Sequence, residues 1–228
     1  MKFELSSLKI GFIHYAVAVV AYILTFVAAY LLGSIPTGYL VAKARGIDIR
    51  TVGSGNIGAT NVFRYLGVPA GIFVLLADAA KGWAAVEIVG KFMPHVSSQS
   101  LEWFRIIGGF GAIIGHNYTC WLQFKGGKGI ATSAGVLLAL VPLALLIILG
   151  VWVVVFALSR YVSLASIAAA LTLPFAAWLT HQSFTIVIIT SLMAALAIYK
   201  HKGNIKRLMS GTENRVGGKK PAAAGAPK

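Results

Sequence analysis

Acidic residues are the scarcest chemistry in this 228-residue chain, where six Asp and Glu stand against 20 Lys and Arg. The only aspartates are Asp48 and Asp78, and the only glutamates are Glu4, Glu87, Glu102 and Glu213. No cluster of carboxylates exists to hold Mg²⁺ between phosphates, which argues against a metal-dependent phosphotransferase. No His is followed five positions later by Asp, and no Gly-x-Ser-x-Gly elbow is present, which argues against two acyl-transfer and hydrolase chemistries. The lone Cys120 excludes an internal disulfide. Charge of either sign is also sparse, at 11% of residues. A soluble domain carries roughly 25%, so this chain cannot cover a water-facing surface of its size.

What the chain has instead is apolar length: 58% hydrophobic residues and a mean hydropathy of +0.82. A membrane-spanning helix needs about 20 apolar residues. Seven segments qualify or nearly do: Ile10–Leu32, Tyr65–Val89, Arg105–Leu122, Lys128–Val141, Pro142–Leu158, Tyr161–Thr180 and Ser183–Tyr199. The fourth and fifth form one apolar stretch, divided at Pro142 because proline lacks a backbone donor and disfavours helix in the residue before it. The expected fold is therefore all-α, a polytopic membrane protein of about seven helices. The first run is longer than a signal-peptide core and lacks a cleavage-like end, so it reads as a retained span.

The formal net charge of +14 is distributed asymmetrically. Fifteen Lys and Arg fall in one set of loops and the C-terminal segment, and four, Lys2, Lys9, Lys91 and Arg105, in the opposite set. By the positive-inside rule the N-terminus is outside and the C-terminus cytoplasmic. Cations that punctuate apolar runs do not form the long basic face that nucleic acid requires. Residues 1–216 read as a single domain, and 217–228, rich in Gly, Ala, Pro and Lys, as a disordered basic tail.

The predicted cytoplasmic side carries three unusual stretches. Gly33-Ser34-Ile35-Pro36 is followed by Gly53-Ser54-Gly55-Asn56-Ile57-Gly58-Ala59-Thr60-Asn61, with Arg64 one turn beyond. Glycines let backbone approach an anion, successive N–H groups form a nest, and a helix starting near Thr60 would add its dipole. Ser54 and Thr60 offer hydroxyls, and Arg64 a fork suited to phosphate. A plain interhelical turn accounts for the same glycines. Lys125-Gly126-Gly127-Lys128-Gly129 sets two lysines in a second Gly-rich stretch, which fits either phosphate binding or positive-inside anchoring. The third, Tyr199-Lys200-His201-Lys202-Gly203-Asn204, places His201 and Asn204 on one face if the helix continues; a lipid-gripping basic cluster is the other reading. Within the spans, Asp78 and Lys81 are spaced to pair with each other, and His116 precedes Asn117 and Tyr118.

Gly-Ser-Ile-Pro (33–36), Gly-Ser-Gly-Asn-Ile-Gly-Ala-Thr-Asn (53–61), Asp-Ala-Ala-Lys-Gly (78–82), Gly-His-Asn-Tyr (115–118), Lys-Gly-Gly-Lys-Gly (125–129), Arg-Tyr-Val-Ser-Leu-Ala-Ser (160–166) and His-Lys-Gly-Asn (201–204) follow in this order. Together, from about Leu32 to Val216, they resemble the bacterial acyl-phosphate:glycerol-3-phosphate acyltransferase family, PlsY. The resemblance implies a seven-helix enzyme of the bacterial inner membrane, its active site toward the cytoplasm. It would join an acyl group from acyl phosphate to glycerol 3-phosphate, with no metal and no cofactor. The catalytic and phosphate-binding roles of the family map here onto Ser54, Thr60, Arg64, Lys128, Ser166, His201 and Asn204. Asn56, Asn61, Lys125 and His116 lie within matching motifs.

That chemistry suits the residues. Acyl phosphate is a mixed anhydride with a good leaving group, and two phosphorylated substrates call for more than one cationic stretch. The expected arrangement brings the three stretches together under the cytoplasmic leaflet. The expected mechanism is direct transfer without an acyl-enzyme, with Ser54, Lys128 and His201 central and the departing phosphate taking the proton. Membrane lipid is the surrounding partner, nucleic acid is not one, and a monomer is expected. An anionic-solute transporter or flippase is the main alternative. It is disfavoured because no internal repeat is apparent and the polar residues gather at one face. A non-catalytic membrane scaffold is a third reading, and it leaves clustered anion sites without a purpose.

Overall fold

The computed structural model describes residues 2–92 and 97–217, and among these every regular element is helical. The tail expected to be disordered lies, from 218 on, outside the described residues. Ten α-helices follow one another: α1 Lys2–Ser34, α2 Thr37–Lys43, α3 Ala59–Leu66, α4 Val68–Phe92, α5 Ser98–Asn117, α6 Ile130–Leu140, α7 Pro142–Ser159, α8 Val162–Leu179, α9 Phe184–Lys200 and α10 Lys202–Met209. A short 3-10 turn, Cys120–Leu122, follows α5. Each of the seven apolar segments is occupied by a helix.

Among the described residues, three helical stretches are long and apolar enough to cross a membrane: Ala16–Lys43, Pro142–Ser159 and Val162–Leu179. α9 and α10, bent by 57° at His201, make a fourth if the pair counts as one span. α4 is 25 residues long but carries Asp78, Lys81, Glu87 and Lys91, and these charges set it apart from a plain apolar span. Division at Pro142 is clear: α6 stops at Leu140, Val141 takes a non-helical conformation at φ −144° and ψ 64°, and proline opens α7. Proline belongs at a first helical position, where its missing N–H would have no partner anyway.

The chain forms two compact units, Met1–Leu140 and Val141–Lys228. In the first, α1 packs on α5, and α4 packs on α3, α5 and α6. Small residues make the close approaches: Gly115 of α5 lies against the carbonyl of Tyr30, and Gly135 of α6 against that of Ala79. Without a hydrophobic driving force between helices in lipid, such tight backbone contact is a main source of association. At the α1 C-terminal end, Ala42, Ile49, Ile57, Val62, Ala70, Val74 and Leu122 form one apolar core. That core draws on α2, α3, α4, the loop between α2 and α3, and the 3-10 turn. In the second unit α8 packs between α7 and α9, and α10 touches both α8 and α9. Leu146, Leu149, Val153 and Leu158 of α7 are exposed, the outward face expected of a helix in hydrocarbon.

Candidate active site

The loop from Gly53 to Gly58 is built by one buried side chain. Asn61, 2% exposed, donates from Nδ2 to the carbonyls of Ile49 at 3.1 Å and Val52 at 3.0 Å. Its Oδ1 accepts from the N–H of Ser54 at 3.2 Å. Gly53 takes a left-handed φ of 59°, and a side chain there would run into the Asn61 carboxamide and the Tyr65 ring. Asn56 Oδ1 accepts from Gly58 N at 2.8 Å, closing a tight turn before α3. The loop is thereby shaped from within, and Ser54 and Thr60 are left exposed. α3 starts at Ala59 with no side-chain cap, and Arg64 on its last turn is half-buried. Beside this loop, hydrogen bonds from Arg50, 2.7 Å at the shortest, hold the Asp48 carboxyl down at about 2, and Arg50 also lies over the Tyr39 ring.

The second Gly-rich stretch sits on the end of α5. Gly126 N donates to Asn117 O at 3.2 Å and Gly127 N to His116 O at 3.0 Å. These two amides are engaged with the protein, so the stretch presents cations more than an open amide nest. Lys125 is exposed, and Lys128 is half-buried between the buried Gly127 and Gly129. The Gly33–Pro36 turn is tied to the same place. Ser34 Oγ donates to Gly115 O at 3.3 Å, and Thr119 Oγ1 donates to Ser34 O at 2.6 Å.

α4 and the end of α5 carry a buried group of ionisable side chains, Asp78, Lys81 and His116. Asp78 and Lys81 are paired as their spacing predicts, at 2.8 Å. His116 Nδ1 stands 3.6 Å from the same carboxylate oxygen, and Lys81 Nζ also donates to Ile35 O at 2.8 Å. Among the described residues no group of three or more His, Cys, Asp or Glu is placed to hold a metal ion.

The second unit carries the remaining predicted residues. Ser166, 3% exposed on α8, donates to Val162 O at 2.8 Å and accepts from Trp152 Nε1 at 3.2 Å. The helix does not continue through His201: α9 ends at Lys200 and α10 begins at Lys202. His201 and Asn204 are nevertheless both buried, at 3% and 5% exposed. His201 Nδ1 lies 2.8 Å from Ala197 O, close enough to donate a proton to it. Asn204 Nδ2 donates to Glu213 Oε1 at 2.7 Å. The same carboxylate accepts from Ser163 Oγ at 3.0 Å and from Arg207 Nε at 2.7 Å. Burial pushes the Glu213 carboxyl up, but the hydrogen bonds from Asn204, Arg207 and Ser163 outweigh it and hold it below the usual carboxylate range.

Ser163 and Asn117 lie within the quoted motifs 160–166 and 115–118 without an assigned role, and Glu213 lies outside every motif. For Glu213 a signal was present: it is one of six acids in a chain of net charge +14, set within the most basic segment. Ser54, Thr60, Arg64, Lys125 and Lys128 belong to the first unit, with Asn56 and Asn61, and Ser166, His201 and Asn204 to the second.

The sequence pattern of the family described as glycerol-3-phosphate acyltransferase matches residues 23–211. The glycerol-3-phosphate acyltransferase of Geotalea daltonii is 48% identical over 193 residues, which cover 84% of this chain and 96% of that protein. That of Desulforudis audaxviator is 48% identical over 196 residues, covering 86% and 96%. Among solved structures, the crystal structure of PlsY, an integral membrane glycerol 3-phosphate acyltransferase, in its glycerol 3-phosphate form superposes with a TM-score of 0.78 at 39% identity. It covers 85% of this chain and 94% of that one. The lysophosphatidic acid form gives a TM-score of 0.76 at 38% identity over the same shares. The chain belongs to the glycerol-3-phosphate acyltransferase family.

Proposed function

We propose that this protein transfers an acyl group from acyl phosphate to glycerol 3-phosphate, giving 1-acyl-glycerol 3-phosphate and phosphate for phospholipid synthesis. It works as a monomeric, multi-pass enzyme of the bacterial inner membrane, with residues 1–216 as one acyltransferase domain. Helices α1 and α4 to α9 cross the bilayer, the N-terminus is outside, and the reaction faces the cytoplasm. The observation that carries this reading lies within the first unit. The Ser54 loop and the turn that leads into the Lys128 stretch rest on one apolar core, at the end where α1 stops. Two cationic, Gly-rich stretches built side by side fit a reaction in which both substrates are phosphorylated.

In the proposed step the glycerol hydroxyl oxygen attacks the acyl carbonyl carbon. The bond from that carbon to the phosphate oxygen breaks, and the departing phosphate takes the hydroxyl proton. No acyl-enzyme forms. Ser54, Lys128 and Ser166 hold the acyl phosphate, with Thr60, Asn56 and Lys125 as further phosphate contacts and Asn61 acting through the loop it shapes. Arg64 and Lys128 balance the charge that develops in the transition state. His201 and Asn204 orient glycerol 3-phosphate, His201 from the position the Ala197 carbonyl gives its ring and Asn204 from the position Glu213 gives it. The enzyme's part is placement and electrostatics, which alone can supply several kcal/mol.

Purified protein given acyl phosphate and glycerol 3-phosphate is expected to release acylated glycerol phosphate and inorganic phosphate in equal amounts. Coenzyme A and carrier-protein thioesters tested beside it are expected to be inactive; equal turnover with either would overturn the donor assignment. Acid quenching during turnover should leave Ser54 unmodified, and an acylated Ser54 would overturn direct transfer.

A further inference from the structure

The buried ions of the first unit do more than cancel one another. Asp78 is 1% and Lys81 7% exposed, and a pair serving only neutrality would end with its own contact at 2.8 Å. Lys81 instead reaches on to the carbonyl of Ile35, in the Gly33–Pro36 turn, at 2.8 Å. Asp78 reaches on to His116, whose Nδ1 is 3.6 Å from Oδ1. The opposite ring nitrogen of His116, Nε2, lies so close to Gly127 that any side chain there would collide with it. On the other side of Lys128, Gly129, at φ 77°, lies against the Asn117 carboxamide. Lys128 therefore stands between two glycines, each seated on one of two successive residues at the end of α5. The seat under the first is an imidazole, faced by a carboxylate whose charge a lysine compensates.

Well-packed apolar residues in place of a buried ion pair are often as stable or more so, so stability alone is a weak account of these three side chains. We propose that Asp78, Lys81 and His116 are positioning residues of the acyl transfer. They form a brace that sets the height of the Gly126–Gly129 backbone, and through it the place of the Lys128 ammonium relative to the Gly33–Pro36 turn. None of the three touches substrate. This rests on the reading of Lys128 as a phosphate ligand. A lysine side chain is long, but its reach begins at its own α-carbon, and a displacement of about 1 Å at a reacting centre can cost about 100-fold in rate.

A double-mutant cycle in the full-length, detergent-purified protein tests the brace. His116→Asn keeps a nitrogen near the Nδ1 position and removes the ring face beneath Gly127. Lys128→Ala is expected to lower kcat/KM by about 100-fold. His116→Asn should lower kcat/KM about 10-fold when Lys128 is present and less than about twofold when Lys128 is already Ala, because coupled groups are non-additive. The same fold loss in both backgrounds would overturn positioning through Lys128 and leave the phosphate-ligand reading standing. Full turnover by Lys128→Ala alone would overturn that reading and the brace with it. Asp78→Asn combined with Lys81→Met is a second, charge-neutral route. Its thermal midpoint should stay near that of the parent while kcat/KM falls by about the same 10-fold, and again only when Lys128 is present. A double variant that folds and retains parental kcat/KM would overturn the brace.

Discussion

The two units hold their reactive groups by opposite means. In the first, backbone does the shaping: Asn61 gathers the Ser54 loop by binding three main-chain groups, and the Lys128 stretch hangs by its amides from the end of α5. In the second, a carboxylate does it for Asn204: Glu213 receives Asn204, Arg207 and Ser163 together, while Ser166 and His201 rest on carbonyls of their own helices. The first device is made of glycines and carbonyls seated, at the Lys128 stretch, on the buried Asp78–Lys81–His116 group, and it depends on shape. The second depends on ionisation. Shape-built sites fail when volume is added, and charge-built sites fail when charge is removed.

Adding one methyl group is therefore the sharpest way to break the first device. In Gly127→Ala the new carbon meets the His116 ring, which cannot swing away as a flexible chain end could. Overpacking of this kind costs about 1–3 kcal/mol. The displaced Lys128 should lower kcat/KM by about 10- to 100-fold, read in a phosphate-release assay. An alanine variant with parental turnover would remove the distinction between the units.

Removing one charge tests the second. Glu213→Gln still offers an oxygen to Asn204 but no longer compensates Arg207. A loss of about 1–2 kcal/mol is expected, seen as a lower midpoint in thermal unfolding. The pH dependence has a definite sign. The folded carboxyl lies below its unfolded value, so its contribution is full above about pH 4.3, and it is lost as pH falls through the folded value. The parent should lose that increment on acidification, and Glu213→Gln should show no matching loss. Identical acid profiles would show that the carboxylate is not what holds this cluster.

The smallest effect belongs to a charge pair in the first unit that is not part of its backbone scaffold. Asp48, held at about 2, keeps its clamp on Arg50 down to that pH. Arg50 is exposed and Asp48 only half-buried, and surface pairs of this kind contribute little. Asp48→Asn should leave the thermal midpoint unchanged and speed tryptic cleavage after Arg50. A large drop in midpoint would mean that the Ser54 loop relies on charge as the Glu213 cluster does.

The helices were legible because apolar length is a local property, and each of the seven apolar runs became a helix. Pro142 marked its own break for the same reason. The Gly-rich stretches were legible as anion-competent turns, since glycine and cation are written in adjacent positions. The sequence did not reveal that the amides of Gly126 and Gly127 are turned to the α5 carbonyls. Which carbonyl an amide faces depends on a partner nine or eleven residues away in the chain. Nor did it reveal the bend at His201, where spacing alone predicted that His201 and Asn204 would share a face if the helix continued.

The sequence by itself determined that the chain is helical and apolar, where its cations lie, and which family it resembles. All of these follow from composition, local order and runs of motif. Tertiary structure alone decided that Asp78 faces His116, that Asn61 binds its own loop, and that Glu213 gathers three partners. Buried polar groups must find partners wherever the packing provides them, and packing is not encoded at any one position.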